Sequence, residues 1–200
     1  DPAVDTAPLK RLLRRLRPAA PASPPPDARG RRVVAVIECV LNQNVRDAGA
    51  ADAPAMNWAL VSLCHGHGIG IVQLPCPEVA CLGPERARAP GSSLRDALNT
   101  DAARARCAQM AVHAADRLQA HAASGCEVLA VLGGNRQSPG CAVCLAGGTL
   151  QPASGLLMRA LQAELRRRGM AIPFRGLHDA EPAALAQDLA WLDALARRPA

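Results

Sequence analysis

Apolar residues in this chain fall into short runs separated by stretches of helical spacing, and that alternation lays out the fold. Leu9 to Leu16 sets leucines at helical spacing opposite a basic face, but Pro18, Pro21 and Pro24 to Pro26 then break the pattern with extended linker chemistry. Residues 1–29 therefore read as a basic, proline-rich flexible arm, and residues 30–200 as one folded domain beginning near Gly30. Arg32 to Ile37 carries Val33, Val34, Val36 and Ile37, a continuous apolar run expected of a strand buried on both faces. Pro54 to Cys64 predicts a helix with proline in its first turn, ended by the glycines of His65-Gly66-His67-Gly68. Ile69 to Leu74 is a second strand. Ser92 to Ala123 predicts one bent helix or two, capped by Ser92 or Ser93. Glu127 to Leu132 is a third strand closed by Gly133-Gly134, Gly155 to Arg168 a helix stopped by Gly169, Ala171 to Phe174 a fourth strand, and Pro182 to Arg197 a last helix.

Strands separated by helices imply right-handed crossovers. The expected class is α/β: a doubly wound, mainly parallel sheet of about four strands with helices on both faces. Ligands in such sheets bind beyond the carboxyl ends of the strands. Reactive residues just past each strand are therefore the first candidates.

The composition narrows the chemistry. The formal charge of +6 rests on 23 Lys and Arg residues, of which Lys10 alone is lysine. Aromatic residues are limited to Phe174, Trp58 and Trp191, so the stacking platforms of single-strand nucleic-acid binders are nearly missing and no nucleic-acid partner is expected. No window approaches the roughly 20 apolar residues of a membrane span, and the first residues lack the order of a signal peptide. A cytoplasmic address is the simplest expectation. Eight cysteines in 200 residues are then more naturally thiols, metal ligands or catalytic groups than disulfides.

Cys39 follows the first strand by two residues and Cys76 the second by two, while Cys141 lies in the loop after the third. Three cysteines thus land on one edge of one sheet. Three converging thiolates suit a soft metal or an iron–sulfur cluster, and four irons on three thiolates leave one iron open. Prolines on both sides of Cys76 stiffen its loop. The competing reading is packing, with the cysteines as small hydrophobes beneath the sheet edge.

Cys39-Val-Leu-Asn-Gln-Asn-Val-Arg-Asp47, Gln73-Leu-Pro-Cys-Pro-Glu78 with Gly83 and Arg86, and Ser138-Pro-Gly-Cys141 occur in that order. This sequence resembles the 2-thiouracil desulfurase (TudS) type family, nearest its branch of TudS-related desulfidases, over roughly Val33 to Leu177. The resemblance implies an α/β domain in which Cys39, Cys76 and Cys141 bind a 4Fe-4S cluster. It further implies that the fourth iron takes sulfur from a thiolated small molecule, with exogenous sulfide as an alternative ligand. It also maps the family's glutamate to Glu78 and the serine of its Ser-Pro-Ser-Cys-Gly motif to Ser138, as catalytic residues. Gly140 and Ala142 replace the second serine and the glycine of that motif. Cys39-Val-Leu-Asn42 stands where the thiouracil type has Cys-Leu-Leu-Gly.

Other features carry less. Cys141-Ala-Val-Cys144 matches a redox CxxC, but Gly147-Gly148 leave no helix to lower a thiol pKa, so Cys144 reads as a spare thiol or substitute ligand. Cys64-His65-Gly66-His67 matches no common zinc spacing and reads as a solvated turn with incidental histidines. Gly66, Gly68 and Gly70 precede a strand, the wrong order for a dinucleotide fingerprint. Cys107 and Cys126 read as packing residues, and Cys81 lies near enough to Cys76 to interfere. Glu78 and Asp47 could pair with Arg46 or Arg86. The expected function is an iron-sulfur-dependent desulfidase, against a non-catalytic iron-sulfur or sulfur-carrier protein and a CxxC thiol redox protein.

Overall fold

The computed structural model describes residues 27–198. The arm with its Leu9 to Leu16 stretch, apart from residues 27–29, lies outside the described residues. The first strand, β1 (Arg32–Ile37), runs straight into a one-turn helix, α1 (Glu38–Leu41), and a short 3₁₀ turn at Gln43–Val45. There follow α2 (Trp58–Gly66), β2 (Ile69–Leu74), α3 (Pro77–Leu82), α4 (Leu94–Leu98), α5 (Asp101–Ala123) and β3 (Glu127–Gly133). The chain then forms a small hairpin, β4 (Leu145–Ala146) and β5 (Thr149–Leu150), before α6 (Leu156–Arg167), β6 (Phe174–Gly176) and α7 (Pro182–Ala196).

The main sheet has the order β2-β1-β3-β6, with every neighbouring pair parallel. β1 and β3 are central, and Val34 to Ile37 and Ala130 to Leu132 are fully buried, as unbroken apolar runs require when both sheet faces are covered. From β1 the chain steps one way along the sheet to β2, and from β2 it steps the other way to β3 and on to β6. Right-handed crossovers then put α2 on one face and α5 and α6 on the other. α7 returns to pack on α2, where His67 Nε2 meets Asp193 Oδ1 at 2.8 Å. On the opposite face α5 buries a stripe of small residues that includes Ala103, Ala111, Ala114 and Ala115, so that α6 packs closely on it. The α/β doubly wound arrangement is therefore present, and its switch point lies between the carboxyl ends of β1 and β3.

Several local expectations are corrected. α2 starts at Trp58 because Asn57 Oδ1 accepts a hydrogen bond from Leu60 N at 3.1 Å, a cap that Pro54 cannot supply. The 92–123 stretch takes the second of its two expected forms, two helices α4 and α5, because Ser93 and Thr100 each accept a hydrogen bond from a first-turn backbone N–H. The fourth strand lies at Phe174–Gly176 and not at 171–174. Pro173 has no N–H to give a ladder, so its carbonyl accepts from Val131 and pairing begins after it. The hairpin after Cys144 turns on Gly147 and Gly148, both at positive φ, as a two-residue hairpin loop demands.

Candidate functional site

The three cysteines occupy short structured segments, not open loops. Cys39 lies in α1, directly continuing β1. Cys76 is the N-cap of α3, with Pro77 at the first helical position, where its missing N–H costs nothing. Glu38 Oε2 accepts a hydrogen bond from Cys76 N at 2.8 Å and ties the ends of β1 and β2 together. Beyond β3 the chain folds back so that Gly134 N donates to Cys141 O at 2.8 Å, and Ser138 Oγ accepts from Cys141 N at 3.1 Å. A Cβ on Gly134 would stand 2.7 Å from Cys141 Sγ, so only glycine leaves room for the thiol. Gly140 is equally constrained: its Cβ would lie 2.5 Å from Pro77 Cγ, which seats this loop on α3.

Cys39, Cys76 and Cys141 line one cavity of about 240 Å³ together with Glu78, Ser138, Arg46 and Arg86. All five residues expected at the site therefore meet there. Ser138 Oγ donates to Glu78 Oε1 at 2.9 Å and stands 3.1 Å from Cys141 Sγ. The guanidinium of Arg86 is nearly inaccessible, with Nη2 3.9 Å from Cys76 Sγ and Nε 3.5 Å from Glu78 Oε2. Its backbone sits at φ 46°, in the left-handed region, a cost of order 1–3 kcal/mol for a residue with a side chain. Hydrogen bonds from the guanidinium to the Pro84 and Val45 carbonyls hold it there. Arg46, on the other side of the cavity, bridges Asp52 and the buried Asp179.

The thiols feel these surroundings differently. A hydrogen bond from Cys141 and the nearby Arg46 pull Cys39 below the usual thiol range. Cys141 is pushed well up, first by giving that hydrogen bond to Cys39 and then by complete burial. Burial pushes Cys76 up as well.

Could these residues hold a cluster? Among the described residues no three His, Cys, Asp or Glu side chains close around a single point as ligands of one metal ion. A cluster spreads its thiolates over separate irons, so its ligands need not meet at one point. Cys39 and Cys141 would exchange their mutual hydrogen bond for bonds to iron. Two arginines beside Cys39 and Cys76 supply the positive charge that a set of thiolates needs when removed from water. Arg46 Nε and Arg86 Nε are buried without a hydrogen-bond partner. The donor set fits a cluster in kind and in charge.

Sequence reasoning missed Asp179 and Gln43. Gln43 Nε2 donates to Cys39 O at 3.0 Å and lies 3.4 Å from Asp179 Oδ2, and its Oε1 accepts from Asp52 N at 3.0 Å. Asp179 stands just past β6, and the rule that drew attention to the cysteines would have found it had the strand been placed correctly. Glu78 pairs with Arg86 as expected, but Asp47 faces Arg88 at 3.7 Å while Arg46 takes Asp52 and Asp179. Cys81 does not line the cavity and lies beside the Cys107 thiol. Cys144 does not line the cavity; Ser154 holds its backbone N–H and carbonyl. Cys64 is buried in the core, and His67, expected to be incidental, joins α2 to α7.

No protein-family model, curated protein or solved structure matches this chain. Among the described residues no helix is long and apolar enough to cross a membrane.

Proposed function

We propose that Cys39, Cys76 and Cys141 hold a 4Fe-4S cluster and that the protein is a desulfidase, hydrolysing a thiolated small molecule to its oxygen analogue and sulfide. The resemblance to the TudS-type family points the same way. The observation that carries the reading is the string Glu78–Ser138–Cys141. A carboxylate and a hydroxyl 2.9 Å apart stand at the wall of the cavity that the three thiols share. Held by those three thiolates, such a cluster would supply a Lewis-acidic iron able to polarise a C=S bond.

The protein's own residues then handle water and protons. Glu78 accepts a proton from water as the water oxygen attacks the C=S carbon, and the C–S bond breaks as the new C=O forms. The proton held on Glu78 and the second proton, lost by the attacking oxygen as the C=O forms, both pass to the departing sulfide, so the balance is one water consumed and one hydrogen sulfide released. Ser138 orients this exchange because its single hydrogen is directed at Glu78, leaving its lone pairs toward the Cys141 N–H and the cavity. Arg86, close to the other oxygen of Glu78, keeps that carboxylate aimed. Cytoplasmic placement and a thiolated small-molecule partner belong to the same reading.

The test is protein purified without air. About four irons and four inorganic sulfides per chain, with broad visible absorbance perturbed by a thiolated heterocycle, are expected. Iron-free protein after reconstitution, or a requirement for a fourth cysteine, would remove the reading.

A further inference from the structure

The molecule has a second feature unrelated to the cysteine cavity. β2 is an outer strand of the sheet, six residues long, whereas the opposite edge strand, β6, has only three. No backbone hydrogen bond joins Ile69 to Leu74 to any element other than β1 among the described residues. An edge of that length normally acquires a cover or a partner. Alongside it runs a groove of about 260 Å³ between Val72–Pro75 and α5. Its floor is apolar, with Val72, Leu74 and Met110 buried. Arg106, His113 and Arg117 stand at its rim, and no Asp or Glu lines it.

No carboxylate opposes the two arginines of this groove: neither Arg106 nor Arg117 has an ion pair among the described residues, and Arg106 gives only a hydrogen bond to Gln109 Oε1 at 3.2 Å. Asp116, next to Arg117, is engaged by Arg168 at 2.7 Å. Residues 106, 113 and 117 lie seven and four positions apart, on one stripe of the helix, spanning about 16 Å along its axis. Alternate residues of a strand added to β2 would face the same side about 7 Å apart, so two or three acidic side chains would match that span. A second copy of the chain is the wrong occupant, because it would bring the same cations together.

We infer that the β2 edge and the adjoining Arg106–Arg117 groove form a docking site for an extended acidic peptide segment of another protein. The segment adds as a further strand to β2, with its backbone giving affinity and its acidic side chains giving selectivity.

Calorimetric titration of the full chain tests this with a blocked seven-residue peptide alternating valine and glutamate. Binding at least about 10-fold tighter than that of the valine–lysine counterpart is expected. N-methylation of alternate peptide residues should abolish it, and the exposed-site double variant R106E/R117E, with an unchanged circular dichroism spectrum, should weaken it at least about 10-fold. Equal binding of both peptides, undiminished binding of the N-methylated peptide, or no binding at all would overturn the inference. So would a peptide-free dimer that R106E/R117E strengthens, since the edge would then accept a second copy.

Discussion

Buried sulfur occurs in two settings in this protein. Cys64 and Cys107 lie in the core among aliphatic side chains, and burial pushes their thiols up to about 11 and about 12, with the neighbouring Cys81 thiol adding to the effect at Cys107. Cys39, Cys76 and Cys141 are also buried or nearly so, yet they stand where strand ends, two arginines and a carboxylate meet. There the Cys39 thiol is drawn down, because a neighbouring S–H and a guanidinium stabilise its anion. Only at Cys39 do the surroundings outweigh burial; Cys76 and Cys141 stay raised like the core thiols. A reactive thiol needs charged and hydrogen-bonding groups delivered to the same place, and the carboxyl edge of a parallel sheet can gather them from several parts of the chain without disturbing the core.

Substitutions that treat the two settings alike should have opposite results. Cys39→Ser, Cys76→Ser and Cys141→Ser are each expected to lose most bound iron, measured with acid-labile sulfide after anaerobic reconstitution. Cys64→Ala and Cys107→Ala should keep their iron and lose about 1 kcal/mol of stability in urea titrations. Iron retained by one of the first three would break the division.

Glu78→Gln and Ser138→Ala sharpen it within the cavity. Both should bind iron as the wild type does yet turn over a thiolated heterocycle at least ~100-fold more slowly, the low end for a positioned proton-transfer group. Full activity in both would leave a carrier of iron and sulfur. Gly134→Ala acts on the same wall by sterics. The added Cβ displaces Cys141 Sγ at a cost of roughly 1–3 kcal/mol, read as a lower melting temperature together with reduced iron.

The core thiols should reveal themselves in alkali. Their folded pKa values lie above the ordinary 9.0, so the stabilising contribution of the protonated form is complete below about pH 9 and is lost as the pH rises toward 11 or 12. Iron-free protein should lose on the order of 1–2 kcal/mol per thiol over that window, and Cys64→Ala or Cys107→Ala should flatten the curve. An unchanged slope would show that these thiols do not govern alkaline unfolding. Cys144→Ser should matter least: iron content unchanged and stability within about 0.5 kcal/mol, a result that a redox CxxC at Cys141 and Cys144 would not give.

Local pattern was enough for much of the fold. β1 and β2 occupy the runs where they were expected, α6 stops where Gly169 takes up positive φ, and the doubly wound class follows from the alternation of strands and helices. These features depend on neighbours in sequence, where apolar period, proline and glycine act directly on the backbone. The same pattern placed Cys39, Cys76 and Cys141 at strand ends, and the family resemblance added Glu78 and Ser138. Only the tertiary structure decided which of the eight cysteines share a cavity and which, like Cys81 and Cys107, face each other elsewhere. Strand order made that choice, by putting β1 between β2 and β3. It also paired Arg46 with Asp179 across 133 positions and, among the described residues, left the long edge of β2 without a further strand. Such facts depend on how distant segments pack, and no local propensity encodes a contact between residues so far apart along the chain.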